Sequence, residues 1–290
     1  MAPPRLTARE RAVATVVGSG TRLAAVLGHP VRHSVSPQIH SAAFAALGLD
    51  VVYLAFDVAP ADLPAAVAGL RALDAVGVNC TVPHKEAVVA LLDERSDEVA
   101  RIGAANTLWW QDGRLHGDNT DAAGLAPVLR DDCGLRPGDP VVLFGAGGAA
   151  RAAAVALGRA GAAVEVVARR AEAAEAVATL VTANGGSLAA PGTRPRLVVN
   201  ATPLGLAGEP LPDRFMRLDP DQVALDLLYG PRDTPFLAAA RERGAHAVDG
   251  LGMLVGQAAE SFERWTGLPA PRDVMMAAAR RALGRSDDLR

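Results

Sequence analysis

Among 290 residues, a few polar side chains stand directly behind apolar runs, where a fold can turn them to chemistry. Lys85 closes the segment Asn79-Cys80-Thr81-Val82-Pro83-His84-Lys85, with Asn79 and Thr81 as hydrogen-bonding neighbours. A lysine ammonium can hand a proton to an oxygen on which negative charge builds, and can take it back in the reverse reaction. A carboxylate beside it would orient it and share the proton. Asp121, the last residue of Gly117-Asp118-Asn119-Thr120-Asp121, is the candidate. Each has a plainer reading: most lysines are simply solvated, and an acid in a first helical turn is favoured by the helix dipole. Asp118 and Asn119 read equally well as caps. Upstream, Ser34 and Ser36 lie in Gly28-His29-Pro30-Val31-Arg32-His33-Ser34-Val35-Ser36-Pro37. Ser36 fits an N-cap with Pro37 in the first helical position, and two hydroxyls beside a helix N-terminus suit a carboxylate. Cys80 reads as a small buried hydrophobe and not as a nucleophile. His29 and His33 flank a proline in a turn without a companion carboxylate at ligand spacing, so no metal site is expected.

A second cluster carries different chemistry. Val141-Val142-Leu143-Phe144 runs into Gly145-Ala146-Gly147-Gly148-Ala149-Ala150-Arg151. This is an apolar strand, a G-x-G-x-x-A turn and a helix. Gly145 permits the tight turn, Gly147 lets the backbone approach a pyrophosphate, and Ala150 allows close packing of helix on strand. The free N–H groups of the helix start favour phosphate. Some twenty residues on, where an NAD enzyme places an acid, the next strand ends at Ala168-Arg169-Arg170. Two guanidinium groups suit a 2′-phosphate, so NADP(H) is the expected cofactor. The alternative for the arginines is a solvated pair at a helix start.

Positioning these groups requires alternating strands and helices. Strands are expected over 23–27, 51–56, 76–79, 107–110 and 114–116, with helices over 37–47, 61–73 and 85–92. Asp112-Gly113 between two short apolar runs signals a hairpin. A helix over 122–129 leads to a second series, with strands at 141–144, 163–167, 197–200 and 223–227 and helices at 149–159, 170–183 and 235–243. Helices over 251–266 and 271–283 close the chain. The pattern is α/β with parallel sheets in two domains.

The net charge of −3 gives no electrostatic reason to expect nucleic acid or an anionic membrane as partner. No apolar run reaches the length of a membrane span. Residues 1–20, with Arg5, Arg9 and Arg11 ahead of a short apolar run, make a poor signal peptide and are expected to be a flexible extension. Two cysteines without C-x-x-C spacing suit a reducing cytoplasm. The alanine-rich helices carry no distinctive interface pattern, and a monomer or homodimer is expected.

The order of these motifs resembles the shikimate dehydrogenase (shikimate/quinate dehydrogenase) family from about residue 22 to 267. The matching segments are 28–37, 79–85, 103–107, 117–121 and 145–150. Asn200-Ala201-Thr202-Pro203-Leu204-Gly205, the run from Asp226 to Pro231 and the run from Asp249 to Gln257 complete the set. The resemblance implies NADPH-dependent reduction of 3-dehydroshikimate to shikimate, in the biosynthesis of aromatic amino acids. It implies a substrate domain of residues 21–121 and 250–290 and a Rossmann-type NADP domain of residues 122–249. Ser34 and Ser36 would bind the substrate carboxylate with Tyr229 nearby. Asn79, Thr81, Asn106, Asp121 and Gln257 would hold ring hydroxyls, with Lys85 at the reacting carbon. Gly145, Ala146, Gly147, Gly148, Ala149, Arg169 and Arg170 would meet the cofactor, with Thr202, Gly250 and Met253 near its nicotinamide end. Two departures stand out: Ala168-Arg169-Arg170 replaces the family's frequent Asn-Arg-Thr or Asn-Arg-Ser, and Cys80 replaces a valine. Relatives preferring quinate tend to have threonine at the position of Ser36, which favours shikimate over quinate or an aminoshikimate. A non-catalytic NADP sensor on the same fold is the alternative of another class.

Overall fold

A computed structural model describes residues 17–285; most of the expected N-terminal extension, residues 1–16, lies outside the described residues. The first sheet contains β1 (Arg22–Gly28), β2 (Val51–Asp57), β3 (Gly77–Cys80), β4 (Glu94–Arg95), β5 (Thr107–Gln111) and β6 (Arg114–Asp118). Its order is β2-β1-β3-β5-β6-β4. β1 is flanked in parallel by β2 and β3, whereas β5 runs antiparallel to both β3 and β6. Burial on both faces explains why β1 is an uninterrupted apolar run. Asp112 and Gly113 join β5 to β6 with φ of +51° and +75°, the paired positive angles of a tight hairpin turn.

The second sheet contains β7 (Pro140–Phe144), β8 (Ala163–Val167), β9 (Ser187–Leu188), β10 (Leu197–Asn200), β11 (Val223–Asp226) and β12 (His246–Val248). The order is β12-β11-β10-β7-β8-β9, every pairing parallel. The chain reverses direction of growth at β7, and ligands bind outside the C-terminal strand ends at such a point.

The helices Leu251–Thr266 and Arg272–Ala282 return to the first sheet. Leu251, Val255, Phe262 and Met275 pack with Ile39 and Phe44 of the Ser36–Ala46 helix against Ala24, Val26 and Tyr53. The fold is therefore two α/β domains, the second of Rossmann type, with the C-terminal helices on the first.

Three local expectations change. The helix expected over 85–92 is one α-helical turn, His84–Ala87, followed by a 3-10 turn, Val88–Leu91. Adjacent β-branched Val88 and Val89 weaken a helix there. The helix expected from 122 starts at Asp121, and beyond Pro127 it widens into a π turn over Val128–Asp132. Proline has no N–H for the regular ladder. The helix Asp97–Ile102 is an addition to the expected set, although its signals are plain. Ser96 Oγ accepts from Val99 N at 3.2 Å, acids fill the first turn, and Gly103 ends it with φ +74°.

Candidate active site

β1 and β3 end side by side, with Leu27 paired to Cys80, so the loops that follow emerge together. They are stitched by His29 N donating to Val82 O at 3.0 Å and Thr81 N to Leu27 O at 2.9 Å. A Cβ on Gly28 would stand 2.5 Å from Thr81 Cγ2, so a larger residue there would force Thr81 to shift. Lys85 lies in the short helix after this turn, and its carbonyl accepts from Ala105 N at 2.7 Å. Its Nζ donates to Asp121 Oδ2 at 2.5 Å, with the lysine side chain 18% and the aspartate 3% exposed. Asp121 Oδ1 accepts from Asn106 Nδ2 at 2.8 Å, and its own N–H donates to Asn119 Oδ1 at 3.1 Å. Asn106 Nδ2 also donates to Gln257 Oε1 at 3.3 Å.

Gln257 reaches this cluster because two helices touch backbone to backbone. A Cβ on Gly124 would stand 2.4 Å from Gln257 N, and one on Gly256 would stand 2.6 Å from Gly124 O. Only glycine at both positions lets Asp121–Pro127 and Leu251–Thr266 cross this closely.

Ser34 and Ser36 sit beyond β1, where Ser36 N donates to Ser34 Oγ at 3.2 Å. Ser36 is the first helical residue, not the N-cap; Val35 holds that position, and the hydroxyl that satisfies a helix-start N–H belongs to Ser34. Tyr229 arrives from the segment after β11. Burial pushes its hydroxyl up, opposed by hydrogen bonding to the Ser34 side chain and the Val35 backbone. Burial likewise pushes the Cys80 thiol up to about 12, opposed by Lys85, so the thiol remains protonated and inert at neutral pH.

Across the domain boundary, Gly145 has φ +131°, and a Cβ there would stand 2.7 Å from Ala201 O and 3.2 Å from Thr202 Cγ2. Nothing lies within 4 Å of a Cβ on Gly147, so the loop is open on that side. The helix Gly148–Arg159 starts there, and a Cβ on Gly148 would stand 3.8 Å from Lys85 Cδ. Arg151 Nε donates to Ile102 O and ties this helix to the first domain. Ala149 lies in its first turn. Beyond β8, Arg169 and Arg170 are exposed, and neither forms an ion pair among the described residues. Glu165 turns to the Gly192 N–H at 3.2 Å, away from the strand end. An open glycine turn, no acid at the end of β8 and two unpaired guanidinium groups fit a dinucleotide with a 2′-phosphate.

Comparison with known proteins gives a consistent result. Residues 26–108 match the shikimate dehydrogenase substrate binding domain, and residues 250–280 match the shikimate 5′-dehydrogenase C-terminal domain. A shikimate dehydrogenase (NADP(+)) of Anaeromyxobacter sp. (strain Fw109-5) is 50% identical over 285 residues, covering 92% of this chain and 98% of the relative. The chain belongs to the shikimate dehydrogenase family. A crystal structure of the family from Thermus thermophilus, in complex with NADP(H) and shikimate, is similar with a TM-score of 0.81 and 41% identity. The match covers 91% of this chain and 100% of that one. A quinate dehydrogenase from Corynebacterium glutamicum, in complex with NAD, is also similar, with a TM-score of 0.79 and 30% identity over 89% of this chain and 98% of that one.

Most of the shikimate dehydrogenase motifs converge here: Lys85, Asn106, Asp121 and Gln257 in one cluster, with Ser34 and Tyr229 in another. Asn79, expected as a ring-hydroxyl ligand, makes its hydrogen bonds to other residues of the chain. It is 6% exposed; its Oδ1 accepts from Tyr53 OH at 2.7 Å, and its Nδ2 donates to Asn106 O and Ser261 Oγ at 2.9 and 3.0 Å. Both amide donors are spent inside the protein. Thr202 Oγ1 donates to Asn200 Oδ1 at 2.7 Å within its own loop. Gly250 packs against Leu227 O, where a Cβ would stand 2.2 Å away, and Met253 is buried among Ile102, Ala122 and Leu125. Sequence reasoning missed Tyr53, Thr107, Thr120 and Ser261, which sit in or beside strands and helices where their spacing reads as core.

Proposed function

We propose that this chain is an NADP(H)-dependent dehydrogenase that reversibly reduces 3-dehydroshikimate to shikimate, with Lys85 carrying the proton and Asp121 positioning both substrate and lysine. The observation that carries this reading is the pair formed by partly buried Lys85 and buried Asp121, with the Lys85 side chain beside Gly148 at the start of the glycine-loop helix. Proton source and cofactor cradle share one place. NADPH, when bound, supplies the hydride. As the ketone oxygen gains charge, the Lys85 ammonium gives it a proton; in the oxidative direction the neutral amine takes one from the hydroxyl. Asp121 holds the lysine through Oδ2, while Oδ1, fixed by Asn106, sets the carboxylate plane. Thr81 and Gln257 complete the hydroxyl-binding side, and Ser34, Ser36 and Tyr229 the carboxylate side. Gly145 to Ala149 would hold the pyrophosphate, Arg169 and Arg170 the 2′-phosphate, and Thr202, Gly250 and Met253 would lie on the nicotinamide side.

In this reading residues 21–121 and 250–290, of which 286–290 lie outside the described residues, form the substrate domain and residues 122–249 the NADP domain. The buried, unpaired Cys80 and Cys133 fit a reducing cytoplasm, and among the described residues no helix is long and apolar enough to cross a membrane. The test is shikimate oxidation followed by NADPH absorbance, with quinate and NAD+ as comparison arms. Turnover with shikimate and NADP+ is expected to exceed both; a preference for quinate or NAD+ would move the specificity, and no turnover would sink the reading.

A further inference from the structure

The amide of Asn79 joins three elements that approach the proton-handling pair from behind. On the first sheet, Tyr53 pairs with Ala24, Ala24 with Gly77, and Asn79 lies two residues beyond Gly77 on the same face. Ala24 and Gly77 present no bulk, so the Tyr53 ring can lie across β1 and reach β3. Its other side stacks on His40, with centroids 4.4 Å apart and planes 3° from parallel. Tyr53 is 2% exposed, and burial pushes its phenol well above the ordinary range, which keeps it a donor. From the opposite side comes Ser261, fully buried, whose hydroxyl donates to Gln257 O at 2.9 Å and lies 2.7 Å from Thr107 Oγ1. Asn79 Nδ2 then grips Asn106 O at 2.9 Å, the same carbonyl that receives Cys80 N at 2.9 Å. The Asn106 side chain goes on to Asp121, and Asp121 to Lys85.

We infer that Tyr53, Asn79 and Ser261 are positioning residues that set the Asn106 amide, and through it the plane of the Asp121 carboxylate facing Lys85. The inference rests on Lys85 and Asp121 being the reacting pair. A hydroxyl on β2, an edge strand, then acts on turnover and not only on folding. A merely structural Tyr53 would lower stability and leave the kinetics of the folded fraction unchanged. A positioning Tyr53 acts through Asp121, so its effect must depend on Asp121 being present.

The experiment is a double-mutant cycle on the full-length enzyme, using Tyr53→Phe, which removes the hydroxyl but keeps the ring on His40, against Asp121→Asn. Initial rates are read with shikimate and with NADP+ as the varied substrate. Tyr53→Phe is expected to lower kcat/KM for shikimate about three- to tenfold, the scale of one hydrogen bond, with the KM for NADP+ unchanged. On the Asp121→Asn background the same change is expected to cost less than about twofold. Ser261→Ala, which releases the Asn79 amide from the other side, repeats the cycle should Tyr53→Phe fail to fold. Additive losses, an equal rise in both KM values, or unchanged kinetics would overturn the inference. Full activity in Lys85→Ala and Asp121→Asn would instead overturn the reading on which it rests, and the single variants distinguish the two failures.

Discussion

The two halves of the cleft are built on opposite principles. On the first domain, Asp121, Asn106, Thr107, Asn119 and Thr120 are each nearly fully buried in one hydrogen-bonded network, with Lys85 and Gln257 partly open. On the second, the glycine turn at Gly145 and Gly147 is open, and Arg169 and Arg170 are exposed without an ion pair among the described residues. A preorganised network holds donors where charge will develop and needs little rearrangement during the reaction. An open rim suits a cofactor that must bind and leave in every turnover. Chemistry is therefore expected to be brittle on the first domain, and binding adjustable on the second.

Substitutions can break that contrast, beginning with the largest effect. Lys85→Ala is expected to lower kcat by about two to four orders of magnitude, measured by shikimate oxidation at saturating NADP+. Near-normal kcat would remove the proton-carrying role. On the cofactor side, Gly145→Ala forces a side chain into a φ of +131° and against Ala201 O. It is expected to raise the KM for NADP+ about tenfold or more while shikimate affinity changes little. A comparable loss on the shikimate side would show that the two halves are not separable. Arg169→Ala and Arg170→Ala are expected to cost about tenfold in NADP+ affinity at most, and to leave NAD+ kinetics untouched. Arginines acting only as solvated surface charge would affect both cofactors alike.

A smaller difference appears in how the halves respond to pH. His40, on the first domain, is buried with neither ring nitrogen hydrogen-bonded among the described residues, and burial lowers its pKa from 6.5 to about 3. The unfolded chain binds more protons between those values, so the contribution is fully present above pH 6.5 and is lost as pH falls towards 3. Asp226, at the end of β11, has the opposite sign. Burial raises it to about 6, against hydrogen bonds from Thr234, Leu228 N and Asn200. Its contribution is present below pH 3.8 and is lost as pH rises through 6. In thermal melts from about pH 7 to about pH 4, His40→Phe is expected to flatten the acid loss of Tm. An unchanged slope would place the acid sensitivity elsewhere.

Legibility differs between the same two regions for a physical reason. The glycine loop can be read residue by residue, because a tight turn, an approach to phosphate and a helix start are local demands on backbone geometry. Lys85 and Asp121 are visible as polar groups behind apolar runs, but each retains a plain alternative until their 2.5 Å contact places them together. Asn79 looks like a ligand because it lies beside Thr81 in one motif. Its donors are consumed by Asn106 and Ser261, and Ser261 is distant in sequence.

The amino-acid order by itself determined the alternation of strands and helices, the hairpin at Asp112-Gly113, the cofactor turn and the set of residues from which the site is drawn. These follow from periodicity, from the φ angles open to glycine and from the chemistry of single side chains. Only the tertiary structure decided which polar residues meet one another and which hold the others in place. That division depends on helix Leu251–Thr266 crossing helix Asp121–Pro127 at two glycines, Gly124 and Gly256. A contact between segments so far apart in the chain leaves no local trace, because its only requirement is a missing side chain on each.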